Sequence, residues 1–183
     1  MQTDIILAGF GGQGILFAGM VLAYAGMAEG YNVSWLPSYG PEMRGGTANV
    51  TVIISDEEIG SPLAPQPQIA IVFNVPSLEK YEPLVKTGGL LIYNQSLIDL
   101  LPRRTDLTYV PVPANDIATE LGNVAMANMV ALGAMVAASQ MLPLAAVTQA
   151  LRDHLPVSKQ TWLKNNELAL VRGAALVELL KLP

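Results

Sequence analysis

The 183-residue sequence contains no cysteine, which excludes disulfides, thiolate zinc sites and cysteine-ligated iron–sulfur clusters on this chain. It has a single histidine, His154, which argues against a multi-histidine metal site or a Ser–His triad. Charge is scarce as well. Only 14% of residues are charged and 51% are hydrophobic, where a typical soluble domain carries about 25% charged residues. So few charges cannot cover the surface in the usual way, and part of it is expected to be buried against something else. Ten basic residues against fifteen acidic ones leave a net charge of −5. Nucleic acid is disfavoured as the main partner, because phosphate neutralisation needs clustered Lys and Arg. The missing cysteines are compatible with a cytoplasmic location.

Two stretches look superficially like membrane segments. Residues 5–28 carry no charge but hold six glycines and follow Asp4 without a basic flank. Residues 124–138 are nearly apolar, yet short, with Asn128 near their start. Both fit buried elements of a water-soluble fold better than membrane spans or a signal peptide. A length of 183 residues fits one domain, 1–183, with a real core.

The apolar run Ile5-Ile6-Leu7-Ala8 ending in glycines is the pattern of a buried parallel strand. A helix is expected over 12–30, where Ala18, Gly19 and Ala23 permit close packing on a sheet. Strands are expected at 33–36, 50–55, 69–74, 90–93 and 107–110. Ser77 is the expected cap of a short helix reaching residue 84. After Asn115 the pattern becomes helical only, with Asn115 and Asn123 as candidate caps, a break at Leu142-Pro143, and a final amphipathic helix over 158–180. The sequence thus predicts an α/β fold, a Rossmann-like three-layer parallel sheet with a helical C-terminal part.

The strongest local motif is Gly9-Phe10-Gly11-Gly12-Gln13-Gly14, a G-x-G-x-x-G turn directly after the first strand and opening a helix. Such glycines let backbone N–H groups approach an anion at a helix N-terminus. The alternative is a tight strand–helix turn with no ligand. A nicotinamide cofactor expects an acidic residue at the end of the second strand; that strand ends Ser34-Trp35-Leu36-Pro37, and Glu29 falls a turn too early, so NAD is disfavoured. The second feature is the polar segment from Ser38 and Tyr39 through Glu42, Arg44, Gly45 and Gly46. Arg44 is the only positive charge in the first 79 residues, which carry seven acids. It suits an anion or a partner carboxylate, or an ion pair with Glu42; a Glu can also orient the Arg that meets a phosphate. His154 reads as a surface or capping residue, and Trp35 and Trp162 as packing or interface residues. Met126, Met129 and Met135 read as core. Asn128 must find a partner for its amide and is within reach of the glycine loop. No nucleophile–base pair and no carboxylate cluster is visible.

These motifs, with Ser61-Pro62, Asn74-Val75-Pro76-Ser77-Leu78, Asn128-Met129-Val130-Ala131-Leu132-Gly133 and Asn166-Glu167-Leu168-Ala169-Leu170-Val171-Arg172-Gly173, together resemble the gamma subunit of 2-oxoacid:ferredoxin (acceptor) oxidoreductases. The likeness spans essentially the whole chain. One departure is Gln68, where the family usually has an Asp. The resemblance implies a Rossmann-like subunit packed beside the active site of a complex that converts a 2-oxoacid, CoA and oxidised ferredoxin to acyl-CoA, CO2 and reduced ferredoxin. Alpha and beta subunits would hold thiamine diphosphate and Mg, and [4Fe-4S] clusters would lie on partners, including a delta chain where one exists. Coenzyme A would bind at the subunit interface, involving Gly9, Gly11, Gly12, Gln13, Gly14, Ser38, Tyr39, Glu42, Arg44, Gly45, Gly46 and Asn128, with no catalytic or metal-binding residue on this chain. Stretches 74–79 and 82–93 look closest to forms associated with 2-oxoglutarate or branched-chain 2-oxoacids. An isolated chain would be expected to form homodimers through its uncovered apolar surface. A purely architectural subunit and a free-standing dinucleotide-binding protein are the competing readings.

Overall fold

The computed structural model describes residues 1–39, 47–99 and 103–180. The chain opens with strand β1 (Gln2–Phe10), helix α1 (Ile15–Ala28) and strands β2 (Asn32–Tyr39) and β3 (Thr47–Ser55). There follow β4 (Ile69–Val72), α2 (Val75–Tyr81), β5 (Leu90–Asn94) and β6 (Thr108–Val112). Then come helices alone: α3 (Ala114–Glu120), α4 (Ala127–Ser139), α5 (Leu144–His154) and α6 (Leu163–Leu180). Short 3-10 turns extend α2 (Glu82–Leu84) and lead into α4 (Val124–Met126) and α6 (Val157–Trp162).

The strands form one sheet in the order β2-β3-β1-β4-β5-β6. The expected layered α/β fold is present, but the sheet is not wholly parallel. Strands β1, β4, β5 and β6 are parallel neighbours, whereas β3 lies antiparallel between β1 and β2. The reason is connection length. Only residues 40–46 separate β2 from β3, and a parallel crossover needs about a dozen residues or more.

The central strands are apolar on both faces because both are covered. Ile5, Leu7, Val50, Val52, Ile71 and Ile92 pack with the larger helical layer, while Ile6, Ala8, Ala70, Val72, Leu91 and Tyr93 meet Leu78, Tyr81 and Val85. The uncharged helix α1 packs on β2 and β3 on one side and on α5 on the other, leaving Tyr24 and Met27 exposed.

Several ends differ from expectation, each for a local reason. Strand β4 stops at Val72, and Asn74 caps α2 by accepting the Ser77 N–H at 2.8 Å; Ser77 is the donor, not the cap. Asn115 lies inside α3, whose first N–H, that of Ala114, is bonded by Asn94 Oδ1 at 3.2 Å. Asn123 does cap, accepting the Ala125 N–H at 3.0 Å. Gln68 Oε1 accepts the Asp4 N–H at 2.7 Å and its Nε2 donates to the Gln2 carbonyl at 3.1 Å. An aspartate cannot donate, so the amide tethers the start of β1 in a way the usual family residue does not. This tether sits at the sheet edge remote from the glycine loop.

Helices α4 and α6 cross at backbone contact. A Cβ on Gly133 would overlap the Leu170 carbonyl, and one on Gly173 would overlap the Val130 carbonyl. Elsewhere, Arg104 ties the end of the α2 segment to β6. It donates to Asp106 at 2.9 and 2.6 Å and to the carbonyls of Glu82 and Val85 at 2.9 and 2.7 Å. The Arg104 hydrogen bonds, seconded by Thr87, hold the Asp106 carboxyl at about 2, below its ordinary 3.8.

Gly133→Ala and Gly173→Ala are each expected to lower the unfolding free energy by about 3 kcal/mol, the upper end for overpacking, despite alanine's better helix propensity. Gly60→Ala, where nothing lies within 4 Å, should be close to neutral in the same denaturant titration. Because the Asp106 pKa falls on folding, its stabilising contribution is complete above about pH 4 and disappears as pH drops towards 2. Denaturant curves at stepped pH should therefore show a shallower acid loss between pH 4 and 2 in Asp106→Asn than in the parent.

Candidate functional site

The chain leaves β1 through α1 to β2 on one side of the sheet and leaves β4 through α2 to β5 on the other. The crevice between the C-terminal ends of β1 and β4 is thus the topological switch point, where ligands bind in open α/β sheets. The loop Gly9–Gly14 stands there. Across the crevice, Asn74 uses its Oδ1 to cap α2, while its buried Nδ2 meets no acceptor among the described residues.

The loop is braced from within and from behind. Gln13 Oε1 accepts the Phe10 N–H at 2.7 Å, and the Gln13 N–H donates to the Phe10 carbonyl at 3.2 Å. Its side chain therefore acts as a substitute peptide that closes the turn, leaving Nε2 as the group it can offer a ligand. Gly14 has φ 72° and starts α1 without a side-chain cap. Asn128, buried at the start of α4, donates from Nδ2 to the Gly14 carbonyl at 3.0 Å and accepts the Met129 N–H at 2.8 Å. A Cβ on Gly14 would overlap that amide, so residue 14 requires glycine twice over, for its left-handed backbone and for the Asn128 contact. Among the described residues, the N–H groups of Gly12, Gly14 and Ile15 meet no protein acceptor, as expected for donors at a helix start.

A cavity of about 210 Å³ opens beside the loop. Gly12, Gly14 and Asn128 form one side, and Lys159, Trp162 and Asn166 close the other. Among the described residues, Lys159 is the only ionisable one lining it. Lys159 and Asn166 were not legible as site residues, because the turn before α6 meets the loop only through the tertiary fold. Trp162, expected to be a packing or interface residue, is 38% exposed and lines the cavity. Larger clefts lie elsewhere: one of about 730 Å³ at the C-terminal ends of α4 and α6, and one of about 470 Å³ at the N-terminal ends of β4 and β5.

Register brings the remaining predicted positions to the same sheet edge. Ser38 pairs with Asn49, which pairs with Ala8; Tyr39 pairs with Ala48, which pairs with Gly9. Glu42, Arg44, Gly45 and Gly46 lie outside the described residues. His154 stacks on Tyr24, with ring centroids 3.5 Å apart and planes 9° from parallel, joining α5 to α1 away from the loop. Among the described residues no helix is long and apolar enough to cross a membrane.

Asn128→Ala removes the acceptor of the Met129 N–H and leaves the Gly14 carbonyl with the Ala18 N–H alone, and should cost about 1–3 kcal/mol. Gly14→Ala adds a left-handed alanine, worth about 1–2 kcal/mol, and the overlap with Asn128. In a double-mutant cycle, Gly14→Ala should therefore cost less in the Asn128→Ala background than in the parent. Strict additivity in denaturant unfolding would show that the overlap is relieved without cost.

A family model described as pyruvate ferredoxin/flavodoxin oxidoreductase matches residues 4–176. Ketoisovalerate oxidoreductase subunit VorA of Methanothermobacter marburgensis is 44% identical over 136 residues, covering 74% of this chain and 28% of that protein. The chain thus spans little more than a quarter of that relative's length. The 2-oxoglutarate synthase subunit KorC of the same organism is 34% identical, with 97% of each chain covered. Among solved structures, the gamma subunit of keto/oxoacid ferredoxin oxidoreductase from Geobacter sulfurreducens superposes with a TM-score of 0.83 at 29% identity, covering 97% of this chain and 99% of that one. The 2-oxoglutarate:ferredoxin oxidoreductase from Magnetococcus marinus, solved with 2-oxoglutarate, coenzyme A and succinyl-CoA bound, gives 0.87 at 26% identity, covering 97% of this chain and 31% of that one. The resemblance read from the glycine motifs therefore holds along the chain: it belongs to the pyruvate ferredoxin/flavodoxin oxidoreductase family.

Proposed function

We propose that this chain is the gamma subunit of a thiamine-diphosphate-dependent 2-oxoacid:ferredoxin oxidoreductase, packed beside the active site and helping to bind CoA. The observation that carries the reading is the end-to-end match to a KorC subunit, 97% of both chains, on a fold that puts its glycine loop at the switch point. The 2-oxoacid, CoA and oxidised ferredoxin would give acyl-CoA, CO2 and reduced ferredoxin. Thiamine diphosphate, Mg and the [4Fe-4S] clusters fall to alpha, beta and, where one exists, delta subunits, a division that agrees with a chain lacking cysteine. The matching sequence covers 28% of VorA and the similar fold 31% of the Magnetococcus chain, which supports a unit that works against other parts of a larger enzyme.

In this reading the chain contributes binding rather than proton transfer, since among the described residues the cavity at the loop is lined by one ionisable residue, Lys159. The N–H groups of Gly11, Gly12 and Gly14 receive a phosphate or polar portion of CoA, with the start of α1 adding partial positive charge. Gln13 and Asn128 hold the loop in shape for it. Arg44 supplies charge to the ligand or to the neighbouring subunit. The substrate is 2-oxoglutarate or a branched-chain 2-oxoacid. The internal bracing of the loop favours one alternative, a purely architectural subunit of the same complex.

Gentle affinity purification from the native cell is expected to bring down larger partner chains with thiamine diphosphate and iron. The chain emerging alone from an intact lysate would overturn the assignment. In the recovered complex, Arg44→Ala should raise the KM for CoA by about tenfold, the equivalent of one weakened charge-assisted contact, and leave the 2-oxoacid KM unchanged. Unaltered CoA kinetics would favour the architectural alternative.

A further inference from the structure

We infer that the free edge of the sheet, strand β2, pairs with β2 of a second copy of this chain about a two-fold axis at Leu36. The direction of the backbone groups on β2 follows from the rest of the sheet. The Gln68 N–H donates to the Asp4 carbonyl and the Phe73 N–H to the Ala8 carbonyl, each at 2.9 Å, so even-numbered residues of β1 turn their backbone groups to β4. Odd-numbered ones face β3, because the groups alternate sides along a strand. Register carries the alternation outward: Leu7 pairs with Val50, and Thr51 with Leu36. Even residues of β2 therefore bond to β3, while Val33, Trp35, Pro37 and Tyr39 point away from the sheet. Pro37 sits in the one phase where a missing N–H costs nothing. Among the described residues, no acceptor meets the Val33 or Trp35 N–H.

Such an edge invites another strand unless charge, shortness or a cover prevents it. Strand β2 has none of these. It runs for eight residues without a charge, and Trp35 and Leu36 are 40% and 38% exposed. The opposite edge, β6, has five residues, all buried or half-buried.

The residues of the edge select its occupant. Around Leu36 they have the same character in both directions: Val33 and Tyr39 are apolar, Ser34 and Ser38 identical, Trp35 and Pro37 both rings. A two-fold interface pairs each residue i with j and j with i. An antiparallel copy centred there sets Leu36 against the partner's Leu36, Ser34 against the partner's Ser38 and Trp35 against the partner's Pro37. Apolar meets apolar, hydroxyl meets hydroxyl, and no like charges meet in a protein of net charge −5. The Trp35 N–H finds the carbonyl of the partner's Pro37, and Val33 exchanges both its bonds with the partner's Tyr39. Moving the axis to Trp35 or to Pro37 sets Leu36 against a serine instead. Val33 and Trp35 stand on the α1 face, against Gly26 and Gly19. Pairing thus brings the α1 helices of the two copies side by side at about 10 Å, a helix-packing distance.

The chain has no cysteine, so one introduced thiol reports the axis. The complete chain should sediment as a concentration-dependent dimer. Opposed residues at Leu36 have Cα atoms about 4.5 Å apart, within disulfide reach, so Leu36→Cys should cross-link under mild oxidant. Ser34→Cys should not, because its two copies lie roughly 13 Å apart along the strands. Leu36→Lys, which opposes like charges at the axis, should raise the dimer dissociation constant by about tenfold or more. Circular dichroism checks its fold, which the exposure of Leu36 protects. A chain that stays monomeric, a dimer unaffected by Leu36→Lys, or equal cross-linking of the two cysteine variants overturns the inference. So does a monomeric chain whose Leu36→Lys variant loses partner chains in the affinity purification, because another subunit is then the occupant. The dimer is measured on this chain alone, so its failure leaves the oxidoreductase reading standing, and the reverse holds too.

Discussion

The Asn128 amide on the Gly14 carbonyl joins the helical half of the chain to the loop that ends its first strand. Without it, the Met129 N–H loses its side-chain acceptor, the Gly14 carbonyl keeps only the Ala18 N–H, and α4 loses its registration on α1. The bond is short-ranged and directional, so it fixes not only contact but angle. The floor of the cavity inherits that angle. Its far wall depends on α6, which reaches its place only because Gly133 and Gly173 let two helix backbones touch. Small residues and one amide thus set the distance across a site that large side chains then line.

The loop itself shows how a glycine-rich turn can be both rigid and open. Gln13 and Asn128 take up polar atoms that would otherwise compete for a ligand or for each other. What is left unspoken for are the N–H groups at the start of α1, which no side chain caps. The bracing residues and the binding groups are therefore different atoms of the same few residues, and a structural role for Gln13 does not displace a binding role for its backbone neighbours.

Much of this was legible in the sequence. Continuous apolar strands mark a sheet covered on both faces, and the glycine motif after such a strand marks a strand–helix turn. The antiparallel β3 was readable from its short connection, 40–46, but strand pattern alone cannot report direction. Asn74 and Ser77 were confused because both are good cap residues, and only the geometry shows which one accepts. Lys159 had no local mark, and Asn166 stood in a motif that marked the family rather than the site. A lysine in a turn after Pro156 looks like any solvated lysine until the fold sets it beside Gly12 and Gly14. Glu42, Arg44, Gly45 and Gly46, prominent in the sequence, lie outside the described residues.

The enclosure of α1 has a consequence for how the chain is made. One side of this uncharged helix rests on β2 and β3, which follow it directly, and the other is covered by α5, more than a hundred residues later in the chain. During synthesis, at about 5–20 residues per second, the outer side of α1 stays uncovered for several seconds at least. The nascent chain therefore carries an apolar helix through most of its elongation, and its yield in a cell depends on how well that surface is shielded until α5 arrives.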